Sequence, residues 1–235
     1  LAAGIVGIVL TLALSKEQML AWGWRIPFLL GLALIPIAMA LRAFPKDKLL
    51  VGTIVAFLSI GVMTDCMMWV VVRSGDIHIA TRVFQFYSLF EAFFFLGCLL
   101  RLSVNSTVRR IARLAMFIVP WLWLGLMVIA PLLQPQFNQG SAIFDFIYEA
   151  SVSFLSGFAL LALAEKNERM MDLPECWILL AIFIYCFGTF FIMAFLKSFL
   201  SQRIWFINNI VNVISYALYA IGFYRLIANP SPEKN

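Results

Sequence analysis

Four carboxylic acid side chains interrupt otherwise hydrophobic stretches of this sequence: Asp65, Glu91, Asp145 and Glu149. Carboxyl groups in an apolar setting can bind cations, exchange protons or act as an acid and base pair. No Lys or Arg occurs at a comparable position in these stretches to neutralise them. Because an ionisable group is costly in an apolar medium, each of the four is a candidate functional residue.

Helical spacing predicts that three of these acids reach the same level of the protein. If each hydrophobic stretch is a helix that crosses a bilayer, Asp65, Glu91 and Glu149 lie roughly 9–12 Å below its outer boundary. Asn208 and Asn212 are four residues apart and therefore share a helix face at a similar depth. The predicted ligand-binding set consists of Asp65, Tyr87, Glu91, Glu149, Thr189, Asn208 and Asn212.

This polar layer has three interpretations. Asn, Ser and protonated carboxyl groups often link helices by hydrogen bonds, each stabilising a membrane bundle by about 0.6–2 kcal/mol. The same groups would line an outward-facing pocket for a small ligand or cation. They would also serve as a relay for protons. The residue pattern alone leaves all three open.

Other kinds of site find little support in the sequence. The single histidine, His78, and four cysteines without a CxxC pair do not predict a zinc site, and no cofactor motif is present. There is no basic run or domain to bind nucleic acid. No nucleophile–base constellation predicts an enzyme; the one enzymatic alternative is a lipid-modifying acid and base pair, Glu91 with Glu149.

The elements that position these residues are predicted from hydropathy. The chain has 235 residues, of which 63% are hydrophobic and 12% charged, so lipid must be its main solvent. Runs of about 20 apolar residues in lipid form helices. The sequence predicts an all-α, polytopic transmembrane bundle of about eight segments. The first, 1–14, is shorter and is read as a truncated helix, and the others are 26–43, 49–72, 83–101, 114–133, 143–164, 176–196 and 204–227.

Orientation follows from the connections between these segments. Of the 17 Lys and Arg residues, one alternating set of connections and ends holds about eleven and the opposite set about six. Because positive residues are retained on the cytoplasmic side, the richer set, which includes the C-terminus, is predicted to face the cytoplasm. The polar layer then lies in the half of the bundle nearer the outside.

The beginning of the chain resembles a known family. Residues 20–42 read LAWGWRIPFLLGLALIPIAMALR. This stretch resembles the connection between the fifth and sixth helices of the metabolite:proton symporters in the major facilitator superfamily, where WGWRIPF recurs. The resemblance covers about residues 1–43 and implies a facilitator-like helix pair there, followed by a six-helix remainder at 44–235. The second-half signatures of that family are not found after Phe44.

The remainder is similar to a compact bacterial membrane module of about seven helices. The similarity spans about residues 26–235 and is carried by YSLFE at 87–91, by Trp177, Tyr185, Gly188 and Thr189, and by Trp205, Asn208 and Asn212. It implies a bacterial inner-membrane protein. The predicted function is a receptor-like sensory module with an outward-facing pocket for a small ligand. The alternative is a proton-coupled transporter or part of one, and the predicted partners are the lipid bilayer and a small molecule or proton from outside.

Overall fold

The structure is a computed structural model that describes residues 37–39, 42–43, 48–74, 77–133, 140–195 and 201–228. Within these ranges it describes the side chains except those at 48, 65–66, 68–78, 80, 193, 195 and 201–209. The WGWRIPF phrase and most of the predicted helix pair at 1–43 therefore lie outside the described residues. The side chains of Asp65 and Asn208 lie outside them as well.

Six helices account for most of the described chain. They are α1 (Lys48–Ser74), α2 (Ile77–Leu102), α3 (Ser106–Leu133), α4 (Gly140–Lys166), α5 (Pro174–Phe195) and α6 (Ser201–Ala228). α3 joins a regular helix at Ser106–Leu124, a π-helical turn at Gly125–Ile129 and a last turn at Ala130–Leu133. A 3-10 turn at Met170–Asp172 connects α4 to α5. The described residues contain no strand.

Five of these helices are long and apolar enough to cross a bilayer. The spans are Thr81–Leu102, Ser106–Leu133, Gly140–Lys166, Pro174–Ile192 and Ile210–Ala228. Their outer surfaces expose large side chains such as Phe117, Phe154 and Phe158, as expected of helices that face lipid. The predicted all-α, polytopic transmembrane fold is confirmed. α1 coincides with the predicted segment 49–72, and the two segments before it lie largely outside the described residues.

The helices extend further than the hydrophobic runs predicted. α2 begins at Ile77 rather than near 83, and α3 begins at Ser106 rather than near 114. Asn105 caps α3, because its Oδ1 accepts hydrogen bonds from the backbone N–H groups of Thr107 (2.8 Å) and Val108 (3.3 Å). Hydropathy missed these turns because polar side chains at a membrane helix end can reach towards water without interrupting the helix.

The centre of the bundle is formed by α2, α4 and α5, which contact one another. α1 and α3 pack against α2, α3 also contacts α4, and α6 packs along α5. The buried face of α4 recurs every three or four residues, as one stripe of a helix must. Apolar and polar residues share that stripe, which includes Phe144, Asp145, Tyr148, Glu149, Val152, Ser153, Ser156 and Ala159. The polar side chains of α4 are therefore packed inside the bundle rather than facing lipid.

Two glycines allow α5 and α6 to approach closely. A Cβ added at Gly188 of α5 would lie 2.6 and 2.8 Å from the two methyl carbons of Val211 on α6. A Cβ at Gly222 of α6 would lie 2.9 Å from Cγ1 of Ile178 on α5. Small residues at such positions let membrane helices pack backbone to side chain. The two contacts fix α6 against α5 along much of their shared length.

The close approach at Gly188 predicts a destabilising substitution. Gly188→Ala should lower the free energy of unfolding by about 1–3 kcal/mol, because the new methyl group overlaps a short, stiff side chain. Val211→Ala in the same chain should restore part of the loss. Gly97→Ala is the control, since a Cβ there meets no atom within 4 Å. Unfolding in mixed detergent micelles measures the effect, and equal stabilities of the Gly188 and Gly97 variants would contradict the packing described.

Candidate functional site

Glu91, on the central helix α2, accepts hydrogen bonds from tyrosines on two neighbouring helices. Tyr148 of α4 donates its hydroxyl to Oε2 at 2.5 Å, and Tyr185 of α5 donates to Oε1 at 2.8 Å. The Glu91 side chain is buried, and hydrogen bonds that involve a carboxyl group in a low-dielectric interior are stronger than those in water. One carboxyl group thus joins α2, α4 and α5.

Aromatic packing orients the two tyrosines towards Glu91. The ring of Tyr185 lies 5.5 Å from that of Phe95 on α2, and the ring of Tyr148 lies 5.3 Å from that of Phe144 on α4. Both pairs are tilted, the arrangement that aromatic rings prefer at this distance. Phe95 and Phe144 are both fully buried. The tyrosine hydroxyls are therefore held in place by the core as well as by the carboxyl group.

Two further acids lie one helical turn apart on α4. Asp145 and Glu149 are 2% and 3% exposed. Asp145 lies within hydrogen-bonding range of the Ser88 hydroxyl on α2, and Glu149 within that of the Thr189 hydroxyl on α5. One oxygen of each acid, Oδ1 of Asp145 and Oε2 of Glu149, has no hydrogen-bond partner among the described residues. A buried polar atom left in this state costs about 1–3 kcal/mol.

The two hydroxyl groups beside these acids also have backbone acceptors. Oγ1 of Thr189 lies 2.8 Å from the carbonyl oxygen of Tyr185 and 3.3 Å from that of Cys186. Oγ of Ser88 lies 3.2 Å from the carbonyl oxygen of Phe84. Since a hydroxyl group carries one proton, it can donate fully to only one acceptor. The acids of α4 therefore compete with the backbone for their donors.

Together these side chains form one buried unit. Glu149 lies close enough to Glu91 and to Asp145 for their charges to repel. We call the unit the Glu91 cluster, and it consists of Glu91, Asp145, Tyr148, Glu149, Tyr185 and Thr189. α6 borders it with Tyr219, whose hydroxyl is buried without a partner among the described residues and lies within electrostatic range of Glu91. Because the cluster has more hydrogen-bond acceptors than donors and its acids repel one another when ionised, it is suited to hold a proton or a cation.

The structure brings three members of the predicted ligand-binding set together: Glu91, Glu149 and Thr189. Tyr87 lies one turn before Glu91 with its hydroxyl towards α1, 3.1 Å from where a Cβ of Gly61 would stand. Asn212 is half-buried on α6, and its place in the set stays a prediction. The side chains of Asp65 and Asn208 lie outside the described residues, so their place in the set stays a prediction.

Sequence reasoning missed the two tyrosines that hold Glu91, and it left Asp145 out of the predicted set. The spacing of the two tyrosines in the sequence does contain a signal. Tyr185 precedes Thr189 by four residues, and Tyr148 follows Asp145 by three, so helical spacing puts each on the face of a polar neighbour. The search for polar residues in the hydrophobic segments centred on acids and amides, so the hydroxyl groups of these two tyrosines were not considered as hydrogen-bond donors.

Glu91 and Glu149 lie well inside their helices. Because α2 begins at Ile77, Glu91 is roughly 21 Å along the helix from its first residue. It stands near the middle of the span Thr81–Leu102. Glu149 lies roughly 13 Å from the start of α4 at Gly140. The predicted depth was counted from the end of the hydrophobic run near 83, and the depth of the layer below a bilayer boundary stays a prediction.

Among the described residues, no group of three or more His, Cys, Asp or Glu side chains has the geometry to hold a metal ion. Comparisons of the chain with protein-family models, with curated proteins and with solved structures found no match. The chemistry of the Glu91 cluster is therefore the basis for a functional proposal.

The bond between Tyr185 and Glu91 predicts a coupled loss of stability. Tyr185→Phe and Glu91→Leu, which removes both acceptor oxygens, should each lower the free energy of unfolding by about 0.6–2 kcal/mol per hydrogen bond lost, the range for hydrogen bonds between membrane helices. The double variant should lose less than the sum, because both changes break the same bond. Tyr224→Phe, at an exposed tyrosine of α6, serves as control and should be neutral. Strictly additive losses in micelle unfolding would contradict the assignment.

Proposed function

We propose that this multi-pass membrane protein is a receptor-like module that binds a small ligand at the Glu91 cluster. The observation that carries the proposal is the pair of buried carboxyl oxygens without hydrogen-bond partners, on Asp145 and Glu149, beside a Glu91 that two tyrosines already hold. A cluster that served packing alone would be expected to satisfy its own polar atoms. These oxygens instead present acceptors to something that supplies donors.

The packing of α5 and α6 supports a receptor rather than an isolated binding site. Tyr185 and Thr189 belong to α5, which lies in close contact with α6 at Gly188. At the far end of the pair, Asp172 lies just before α5 and forms an ion pair with Arg225 of α6 at 3.1 Å. A ligand that shifted α5 relative to α4 would therefore move the end of α6 as well. That end leads into the C-terminal residues.

The proposal includes an orientation. The connection between α2 and α3 and the end of α4 carry exposed basic residues, among them Arg101, Arg109, Arg110 and Lys166. The positive-inside rule favours that side as cytoplasmic, in a bacterial inner membrane, and the Glu91 cluster would then be reached from the outside. A fluorescent-protein fusion after Asn235 should be bright, since this reporter folds in the cytoplasm but not after export. A dark fusion together with an active phosphatase fusion at the same place would reverse the orientation.

Proton-coupled transport is the second candidate function. The position of Glu91 near the middle of its span favours it, because transporter sites usually lie near the bilayer midplane. Liposomes that contain the purified protein and a pH-sensitive dye separate the two candidates. A symporter moves protons when its substrate is added under a gradient, whereas a receptor module binds the same compound without proton flux.

Ligand binding should depend on Glu91. A panel of amino acids, small amines, organic acids and sugars is tested for compounds that raise the unfolding temperature of the purified protein in detergent. A compound that stabilises the unmodified chain should fail to stabilise Glu91→Gln and should still stabilise Glu165→Gln, a control at an exposed acid of α4. Size-exclusion chromatography verifies that both variants are folded. Equal stabilisation of the Glu91→Gln variant would remove the cluster from the binding site.

A further inference from the structure

The Glu91 cluster contains more hydrogen-bond acceptors than donors. The hydroxyl protons of Tyr148 and Tyr185 are used on the two oxygens of Glu91. Thr189 has backbone carbonyl oxygens within reach, which compete with Glu149 for its single proton. Oε2 of Glu149 and Oδ1 of Asp145 are left without a partner among the described residues. When the carboxyl groups are ionised, these two oxygens therefore lack a donor.

The missing donor should also carry positive charge. Glu149 is within repulsion distance of both Glu91 and Asp145, and buried like charges are unfavourable unless a cation or a proton accompanies them. The sequence offers no Lys or Arg in 83–100, 141–165, 174–196 or 204–224, the apolar parts of the four helices that surround the cluster. The chain itself therefore has no basic side chain at this depth in these helices to neutralise the acids.

We propose that the Glu91 cluster binds an ammonium-type cation, either ammonium itself or a protonated primary amine, between Glu149 and Asp145. This inference rests on the proposed function and names the class of its ligand. An N–H group directed at each unpartnered oxygen satisfies both acceptors, and the positive charge offsets the repulsion among the three acids. A divalent metal is a poorer fit, because no group of three or more acidic side chains among the described residues has the geometry to hold one. An alkali ion would supply charge but no hydrogen-bond donor.

Titration calorimetry on the purified full chain in detergent tests this inference. The probes are methylammonium chloride, tetramethylammonium chloride and sodium chloride at matched ionic strength. Methylammonium should bind saturably and at least about tenfold more tightly than the other two, because only it carries N–H donors. Glu149→Gln should weaken methylammonium binding by about tenfold or more. Glu165→Gln, which changes an exposed acid on the same helix, should leave it unchanged.

The comparison of the three salts uses the unmodified chain and does not depend on the folding of a variant. If Glu149→Gln does not fold, Asp145→Asn gives a second test. Binding by sodium or tetramethylammonium as tight as by methylammonium would overturn the inference, as would no saturable binding of methylammonium. If methylammonium fails but an uncharged or anionic compound stabilises the protein in a Glu91-dependent way, the cation inference falls and the proposed function stands. If no compound of either kind acts through Glu91, both fall.

Discussion

A polar group in the interior of a membrane protein cannot turn to bulk water, so its partners must come from the protein or from something bound within it. In this protein the condition is most demanding at Glu91, a buried acid in the middle of a long apolar helix. Tyr148 of α4 and Tyr185 of α5 satisfy this condition, because each donates a hydrogen bond to the Glu91 carboxyl group. The hydrogen bonds of one carboxyl group thus constrain the geometry of the bundle centre. A shift of any of the three helices would break a hydrogen bond that lipid cannot replace.

The rest of the bundle is arranged around that centre. Gly188 and Gly222 hold α6 closely against α5, the helix that carries Tyr185. The ion pair between Asp172 and Arg225 joins the same two helices at their far end. A change in the hydrogen bonding of the Glu91 cluster would therefore act on the helix pair α5 and α6 rather than on one side chain. This coupling is the physical basis for the proposal that the protein is a receptor-like module.

The sequence allowed the helical membrane fold to be predicted, because a run of about 20 apolar residues has few other stable structures in lipid. It also drew attention to Glu91, Glu149 and Thr189, which the structure brings together, since polar residues are conspicuous against an apolar background. It did not predict which of them meet. Tyr148 and Tyr185 contact Glu91 across 57 and 94 residues of chain, and such pairings depend on how helices pack, which hydropathy does not contain. Helix starts were misplaced for a related reason: the cap at Asn105 is a local hydrogen bond, invisible to an average of hydrophobicity.

The central claim, that Glu91 is held by two tyrosines from different helices, is open to direct measurement in a bilayer. Solid-state nuclear magnetic resonance on protein reconstituted in lipid, with ¹³C labels in the Glu carboxyl and Tyr ring carbons, reports carbon pairs in close proximity. The account predicts cross-peaks from the Glu91 carboxyl carbon to the Cζ atoms of both Tyr148 and Tyr185, assigned by their loss in the corresponding Phe variants. A Glu91 carboxyl carbon that correlates with neither tyrosine, in a protein that is otherwise helical, would contradict it.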